Sequence, residues 1–260
     1  MKNLLSQYVN FQSKIIHNNK VPPALEQECV QSFFNGKKNG IFIDVGANDP
    51  FIESQSFHLE QLGWKGLLIE PLPNMCALLR EHRSSIVVPY ACSSIENHKK
   101  ILPLISFGVC STLESKLIHT NKVKQDVIYI ETRTLDSILE ENNIEVNFDL
   151  LSIDVEGHEI ELFKGFDIQK WKPKLVLLED HVTSRAKHRF MIANGYSFLL
   201  RTGLNSWYVR DTKDYAISWK SKFEFIRKYY LGILFRKLRI KWASSMPVMF
   251  KWKSPFQYWL

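Results

Sequence analysis

The sequence predicts a doubly wound α/β fold whose sheet is mostly parallel and ends in an antiparallel hairpin. Short runs rich in Val, Ile and Leu recur along the 260 residues, as expected for parallel strands buried on both faces. Segments with helical periodicity separate these runs, and alternating strands and helices indicate this fold class. The last two apolar runs are joined only by the short turn RTGLN, which favours a hairpin.

Each element follows from its own stretch of sequence. The predicted strands are IFIDV at 41–45, GLLIE at 66–70, IVVPYA at 86–91, DLLSID at 149–154, KLVLLE at 174–179, YSFLL at 196–200 and SWYVR at 206–210. The predicted helices lie at 24–34, 54–62, 73–82, 134–141, 156–164 and 184–194. Thr134 is suited to cap the helix that it precedes, because its hydroxyl accepts from the first amides. Residues 1–40 are expected to form a helical lead-in, 41–212 the main domain and 213–260 an extension.

Composition excludes several classes of protein. Hydrophobic residues make up 45% of the chain and charged residues 23%, which is typical of a globular protein and not of a disordered one. No apolar run approaches the roughly 18 residues that a membrane span needs, and the first residues, MKNLLSQYVNFQSK, are too polar for a secretory signal. The four cysteines form no CxxC pair. They are therefore expected to be reduced thiols in a cytoplasmic protein.

The positive charge is concentrated at the end of the chain. The segment 219–260 contains ten Lys/Arg and one acid, Glu224, so its net charge is +9, whereas the whole chain carries +7 and the segment 1–218 carries −2. Apolar residues recur there at helical spacing: Phe223, Ile226, Tyr230, Ile233, Leu234 and Leu238. This pattern predicts a cationic amphipathic helix that contacts an anionic membrane surface on its cytoplasmic face. Packing of the stripe on the domain or on a second subunit is the alternative, and RNA binding fits the acidic main domain less well.

The first two strands predict a nucleoside site. Gly46 directly follows the first strand, and a glycine there lets the backbone approach a ligand closely. Glu70 ends the second strand, where a carboxylate can accept hydrogen bonds from ribose hydroxyls. The alternative is a structural turn and a surface glutamate. The next glycine is Gly63, so the dinucleotide pattern GxGxxG is absent, which argues against an oxidoreductase.

Charged residues also follow two later strands. DLLSIDVEGHEIEL carries Asp154 to the end of a buried strand, and His158 follows one turn later, so both can face one cleft. The next strand ends in Glu179, Asp180 and His181. Buried unpaired charges are costly, so this set is expected to bind something. A solvated charged loop is the alternative.

The sequence contains four further motifs, FIDVGAND, GWKGLLIEPLP, RTLDSIL and LLSIDVEGHE. Together, in this order and spacing over about residues 40–210, they resemble the FkbM family of S-adenosylmethionine-dependent methyltransferases. The resemblance implies a seven-stranded class I (Rossmann-like) methyltransferase domain at 41–212. It also implies that members O-methylate sugars, often in polysaccharide or natural-product pathways.

By the same resemblance, Asp44, Gly46, Ala47 and Asn48 would line the cofactor and Glu70 would hold its ribose. One departure is Pro50, which stands where the family often has glycine and removes an amide donor.

Methyl transfer to a hydroxyl requires that the acceptor lose a proton. A histidine is a natural general base at neutral pH, and we expect His158 to act with Asp154, with His181 as the competing candidate. Asp154, Glu179 and Asp180 could also hold Mg²⁺, because a hard cation prefers oxygen ligands. The expected partner is a glycan or another small hydroxyl acceptor. An RNA methyltransferase and a non-catalytic, membrane-associated cofactor-binding module remain the alternatives.

Overall fold

The structure, a computed structural model, describes residues 23–107, 110–113, 126–210, 217–233, 235–236 and 238. Its strands are β1 (Ile41–Val45), β2 (Lys65–Ile69), β3 (Ile86–Val88), β4 (Ala91–Cys92), β5 (Lys100–Phe107), β6 (Cys110–Thr112), β7 (Asp126–Arg133), β8 (Leu150–Ile153), β9 (Leu175–Glu179), β10 (Ser197–Thr202) and β11 (Asn205–Val209). Its helices are α1 (Pro23–Phe33), α2 (Phe57–Glu60), α3 (Pro73–His82), α4 (Leu135–Glu141), α5 (Glu159–Phe163), α6 (Ile168–Trp171), α7 (Ala186–Ala193) and α8 (Trp219–Ile226). A 3-10 turn lies at Ile95–Asn97, and a π-helical turn, Arg227–Leu231, continues α8.

The main sheet has seven strands in the order β10-β11-β9-β8-β1-β2-β3. All neighbours from β9 to β3 are parallel, whereas β11 is antiparallel to both β9 and β10. The mostly parallel sheet and the antiparallel final hairpin are therefore confirmed. Gly203 and Leu204 alone connect the hairpin strands, and Gly203 has the positive φ that such tight turns favour.

The strand order reverses beside β1. The chain moves outward from β1 through β2 to β3 and later returns to place β8 on the other side of β1. Ligands of open α/β sheets bind at such a switch point, outside the carboxyl ends of the strands. The loops after β1, β2 and β8 all lie at this position.

Two apolar layers enclose the sheet. Successive side chains of a strand point to opposite faces, so Ile43 and Val45 of β1 join one core cluster whereas Phe42 joins the other. Residues of α4, α5, α6 and α7 pack on the first face, and residues of α1, α2 and α3 pack on the second. Thr134 accepts from the Ser137 amide at 3.3 Å, so the predicted cap of α4 is confirmed.

A second sheet of four strands, in the order β4-β7-β5-β6, was not predicted. Its inner face carries Leu104 and Ile130, which pack with Leu72 near the carboxyl edge of the main sheet. Its outer face exposes Ile101 and Tyr129. Because both faces carry large apolar residues, the period-two alternation that marks a half-buried strand is absent from the sequence.

Among the described residues, the helix near the chain terminus packs on the main domain mainly through one side. Tyr229 and Ile233 are buried in the first core cluster, and Phe225 packs against that cluster. Four residues that were predicted to share a stripe with Ile233 are exposed instead: Phe223, Ile226, Tyr230 and Leu238. The structure thus divides the predicted stripe between two sides, and Leu234 lies outside the described residues.

Among the described residues, no helix combines the length and the apolar character that crossing a bilayer requires. Cys29, Cys76 and Cys92 are buried free thiols, as predicted for them, and the side chain of Cys110 lies outside the described part.

Candidate active site

A cleft with an open volume of about 670 Å³ lies at the carboxyl ends of β1, β2 and β8. The loops after these strands and the second sheet both contribute to its lining. The polar lining residues include Gly46, Asn48, Glu70, Asp154, Glu156 and His158, and the apolar ones include Leu72, Tyr90, Ala91, Leu104 and Leu113. A ligand with both a hydrophobic ring and several hydrogen-bonding groups suits such a cleft.

Gly46 is required by the geometry of the cleft floor. Its φ is +86°, and a Cβ atom built on it would lie 1.8 Å from the carbonyl oxygen of Asp154. The Gly46 amide donates to the Ile69 carbonyl at 2.9 Å, and the Asp154 amide donates to the Val45 carbonyl at 2.9 Å. The ends of three neighbouring strands therefore meet at a point where only glycine fits.

Glu70 is held in place by backbone amides. Its carboxylate accepts from the amide of Asn48 at 2.9 Å and from the amide of Leu72 at 2.8 Å. Burial raises the pKa of Glu70, while the two amide donors act in the opposite direction. A carboxylate has about four lone-pair sites. Two fixed amides therefore leave acceptor capacity for hydroxyl groups of a ligand.

Asp44 supports the cleft floor from below. It accepts from the Ser56 hydroxyl at 2.5 Å, and Arg83 donates to the same hydroxyl at 3.0 Å and to the Pro50 carbonyl at 3.3 Å. Burial raises the pKa of Asp44, and the Ser56 hydrogen bond and the Arg83 charge oppose that rise. The carboxyl group of Asp44 therefore braces the loop after β1.

Ala47 is also buried in this loop, and its amide donates to the Ile69 carbonyl. Five residues were predicted to line the cofactor. The structure places three of them on the cleft, namely Gly46, Asn48 and Glu70, and the other two, Asp44 and Ala47, beside it.

His158 lies in the cleft wall at the start of α5. Its Nε2 atom is 2.9 Å from the Ser93 hydroxyl, and that hydroxyl accepts from the side-chain amide of Asn97 at 3.1 Å. Neither partner was predicted, because β4 has two residues only and the contact joins positions 65 residues apart. These two side chains fix the orientation of the imidazole ring.

A pair of carboxyl groups lies at the cleft, and of the two Asp154 is half-buried and Glu179 is buried. Asp154 and Glu179 are hydrogen-bonded to each other. Burial raises the pKa of both groups; the negative charge of Glu179 adds to the rise at Asp154, and those of Glu156 and Glu159 add to it at Glu179. The Lys187 ammonium lies 2.9 Å from Glu159 and partly compensates this charge. The pair therefore retains a proton at higher pH than isolated carboxyl groups would.

The residues predicted to hold a metal do not all come together. Asp180 accepts from the Tyr229 hydroxyl at 2.7 Å and from the Val182 amide at 2.8 Å, and this commits both of its oxygens to structural contacts. Successive side chains along a strand alternate in direction, which explains why Asp180 diverges from Glu179.

Glu179 instead groups with Glu156 and His181, whose ligand atoms all lie within 4.8 Å of one another. The structure thus favours a set of candidate metal ligands that differs from the predicted set.

The comparisons with known proteins identify the family. The family model described as the methyltransferase FkbM domain matches residues 44–227. A solved structure, the methyltransferase FkbM from Methylobacillus flagellatus KT, is similar with 15% identity and a TM-score of 0.39. The similarity covers 72% of this chain and 50% of that one, so this chain spans about half the length of that relative. No curated protein matches the chain. Because the family model covers well over half of the residues, the chain belongs to the FkbM methyltransferase family.

Proposed function

We propose that this methyltransferase moves a methyl group from S-adenosylmethionine to a hydroxyl group of a sugar, in a surface polysaccharide or a lipid-linked glycan. Family membership implies S-adenosylmethionine as the methyl donor in general terms. The observation that carries the proposal is the convergence of Glu70, His158 and Asp154 on one cleft, with Glu179 paired to Asp154. Glu70 would anchor the nucleoside, His158 would act as the base, and the carboxyl pair would accept hydrogen bonds from several hydroxyl groups.

The residues present fit the cofactor. Glu70 would hold the ribose hydroxyls, Gly46 would leave room for the methionine part, and the apolar wall with Leu72 and Leu104 would accept the adenine ring. When bound, the cofactor supplies an electrophilic methyl group. The protein has to orient the acceptor and remove its proton, and positioning alone can contribute several kcal/mol to the rate.

His158 is the proposed general base. The Ser93 oxygen already accepts from Asn97, and it can accept a second hydrogen bond from an Nε2–H group of His158. That tautomer has its lone pair on Nδ1, a buried atom, and the acceptor hydroxyl has to reach it as the oxygen attacks. Ser93 and Asn97 are therefore positioning residues. His181 is the competing base, and its side chain stands beside Glu179 at 3.6 Å.

The carboxyl pair supports a polyhydroxyl acceptor. Apart from the contact between the two carboxyl groups, one oxygen of Asp154 and one of Glu179 are buried without a hydrogen-bond donor among the described residues. Buried acceptors without partners are costly, and neighbouring hydroxyl groups of a sugar would satisfy them. A Mg²⁺ ion at Glu156, Glu179 and His181 would be a second way to hold the same hydroxyl groups. A reaction rate unchanged after thorough treatment with EDTA would exclude that ion.

The first test is calorimetric titration with S-adenosylhomocysteine of the wild-type protein and Glu70→Ala. Micromolar binding that the variant loses would support the cofactor site. The second test is transfer of a labelled methyl group to a panel of nucleotide-linked sugars, lipid-linked glycans and RNA. We expect transfer to a glycan, and His158→Ala should lower kcat by about 10²–10⁴-fold without changing S-adenosylhomocysteine affinity.

His82→Ala is the matched control, because this histidine is partly exposed at the end of α3. Its rate should stay within about twofold of wild type, since surface substitutions have small effects. Methylation of RNA but of no glycan would replace the proposal with the RNA alternative. Cofactor binding without transfer to any member of the panel would favour the non-catalytic module.

A further inference from the structure

One side of the helix near the chain terminus carries large apolar residues that join none of the core clusters formed by the described residues. Trp219, Phe223, Ile226 and Tyr230 follow one another at intervals of four, three and four residues and are 72%, 59%, 50% and 49% exposed. Residues at this spacing lie on one side of a helix. We call these four residues the outer face.

The opposite side of the helix is fixed to the domain. Tyr229 is buried, stacks on Phe225 at a centroid distance of 4.7 Å and donates its hydroxyl to Asp180. Arg236 donates to the Val182 carbonyl at 2.9 Å. These contacts anchor the helix and leave the outer face turned away from the domain core. Exposed apolar rows of this kind mark surfaces that bind a partner.

Tyr230 lies at the margin of the outer face. The guanidinium group of Arg185 is 5.0 Å from the centre of its ring. Trp219, Phe223 and Ile226 are more exposed than Tyr230, and Phe235 and Leu238 extend the exposed apolar surface further along the same segment. The outer face is therefore centred on Phe223 and Ile226.

We propose that the outer face docks on an anionic lipid bilayer. Lys220 and Lys222 lie on either side of the row, and the segment 219–260 contains ten basic residues and one acid. Apolar and aromatic side chains flanked by cations are typical of interfacial helices. Such helices bury the apolar and aromatic side chains among the acyl chains and place the cations at acidic headgroups.

Charge argues against the other occupants of this face. A second copy of the same helix would bring two cationic segments together, and like charges oppose such a contact. RNA requires groups that bind phosphates and bases along a groove, whereas Ile226 and Leu238 offer only apolar surface. The segment 1–218 is net −2, which also disfavours an RNA surface that continues onto the domain.

The docked helix would bring the membrane close to the acceptor side of the cleft. Tyr229 and Arg236 contact Asp180 and Val182, the residues on either side of His181. The segment after Glu179 is therefore the link between the helix and the carboxyl pair. The inference that the membrane presents a lipid-borne glycan as the acceptor rests on the proposed function. Bilayer docking itself does not depend on methyl transfer.

The test is cosedimentation of the whole 260-residue chain with vesicles of phosphatidylcholine containing about one third phosphatidylglycerol, beside phosphatidylcholine alone. We expect binding to the anionic vesicles only, and weaker binding at high salt. Phe223→Asp/Ile226→Asp should lower the partition coefficient about tenfold or more, because two buried apolar side chains are lost. Leu78→Asp/Ile192→Asp is the matched control, since both residues are exposed apolar positions on other helices.

A second variant, Lys220→Glu/Lys222→Glu, tests the charge without altering the apolar row. It should also lower binding to anionic vesicles, and thermal melting identifies any variant that fails to fold. Equal binding by wild type and both variants would overturn the proposal, as would failure of the wild-type protein to bind. A wild-type dimer that the aspartate variant converts to a monomer, or RNA binding lost in that variant, would assign the face to those partners. Vesicle binding by a protein that methylates no glycan would reject the proposed function and leave the docking intact.

Discussion

Replacing Gly46 with alanine should disturb the cofactor site and the fold together. The new Cβ atom would lie 1.8 Å from the Asp154 carbonyl oxygen, whereas real Cβ atoms essentially never come closer than 3.0 Å to another heavy atom, so the two strands must separate. Such a shift breaks the bond from the Asp154 amide to the Val45 carbonyl, which contributes about 1 kcal/mol. The positive φ adds about 1–2 kcal/mol. We expect Gly46→Ala to lower the free energy of unfolding by about 3 kcal/mol.

Urea denaturation and thermal melting measure this change, and a midpoint drop of roughly 6–12 °C is expected for a chain of this size. Gly36→Ala is the control, because Gly36 has a similar φ of +66° but no atom within 4 Å of the new Cβ. It should cost only about 1 kcal/mol, the conformational part. Titration with S-adenosylhomocysteine should show lost affinity for Gly46→Ala alone. Equal destabilisation by the two variants would refute the idea that the contact with Asp154 enforces glycine.

Three further predictions concern single side chains. Glu70→Gln removes the charge and leaves one carbonyl acceptor for two amides, so titration should show S-adenosylhomocysteine affinity lowered by about tenfold to a hundredfold; unchanged affinity would remove Glu70 from the site. Burial and nearby acids raise the pKa of Glu179 from 4.5 to about 7. The folded state therefore holds this proton more tightly than the unfolded state. The free energy of unfolding should therefore fall by up to about 3 kcal/mol as the pH rises from 4.5 through 7. Urea titrations at several pH values should show a smaller decline for Glu179→Gln. Equal dependence on pH in the wild type and the variant would contradict this prediction. Ser93→Ala should lower kcat about tenfold and shift its pH profile, with cofactor affinity unchanged, because His158 loses its orienting partner; a shift in affinity alone would argue for a purely structural role.

Sequence reasoning predicted best those elements whose signals are local. The bounds of α3 agree with the prediction, because Pro73 favours the first turn of a helix and lacks only an amide that would be unpaired there. β1 agrees as well, since its five residues are apolar or buried and follow a glycine. The second sheet could not be found in the same way. Its strands expose Ile101 and Tyr129 on the face away from the core, so no regular alternation marks them.

The site shows the same division. Four residues, Gly46, Glu70, Asp154 and His158, line one cleft because the carboxyl ends of parallel strands meet at one edge of a sheet, and each was singled out from its place at the end of a strand or shortly after it. Ser93, Asn97 and Lys187 were not predicted, because their positions depend on contacts between distant parts of the chain.

Asp180 shows the limit of proximity in sequence. It is adjacent to Glu179, yet its carboxylate belongs to a different set of contacts, with Tyr229 and Val182. Tyr229 is 49 positions away in the chain, so no local pattern around Asp180 could have indicated this partner.

The bond between Tyr229 and Asp180 also determines how the end of the chain can be studied. Asp180 is buried, and one of its oxygens accepts from Tyr229 while the other accepts from Val182. A chain shortened before Ser218 would lose Tyr229 and leave the carboxylate oxygen of Asp180 without its donor. A truncation intended to remove the helix alone would therefore also disturb the catalytic domain. It would also uncover the core around Phe198 and Tyr208. Loss of activity in such a shortened protein would report damage to the catalytic domain, so only point substitutions on the exposed side can separate attachment from catalysis.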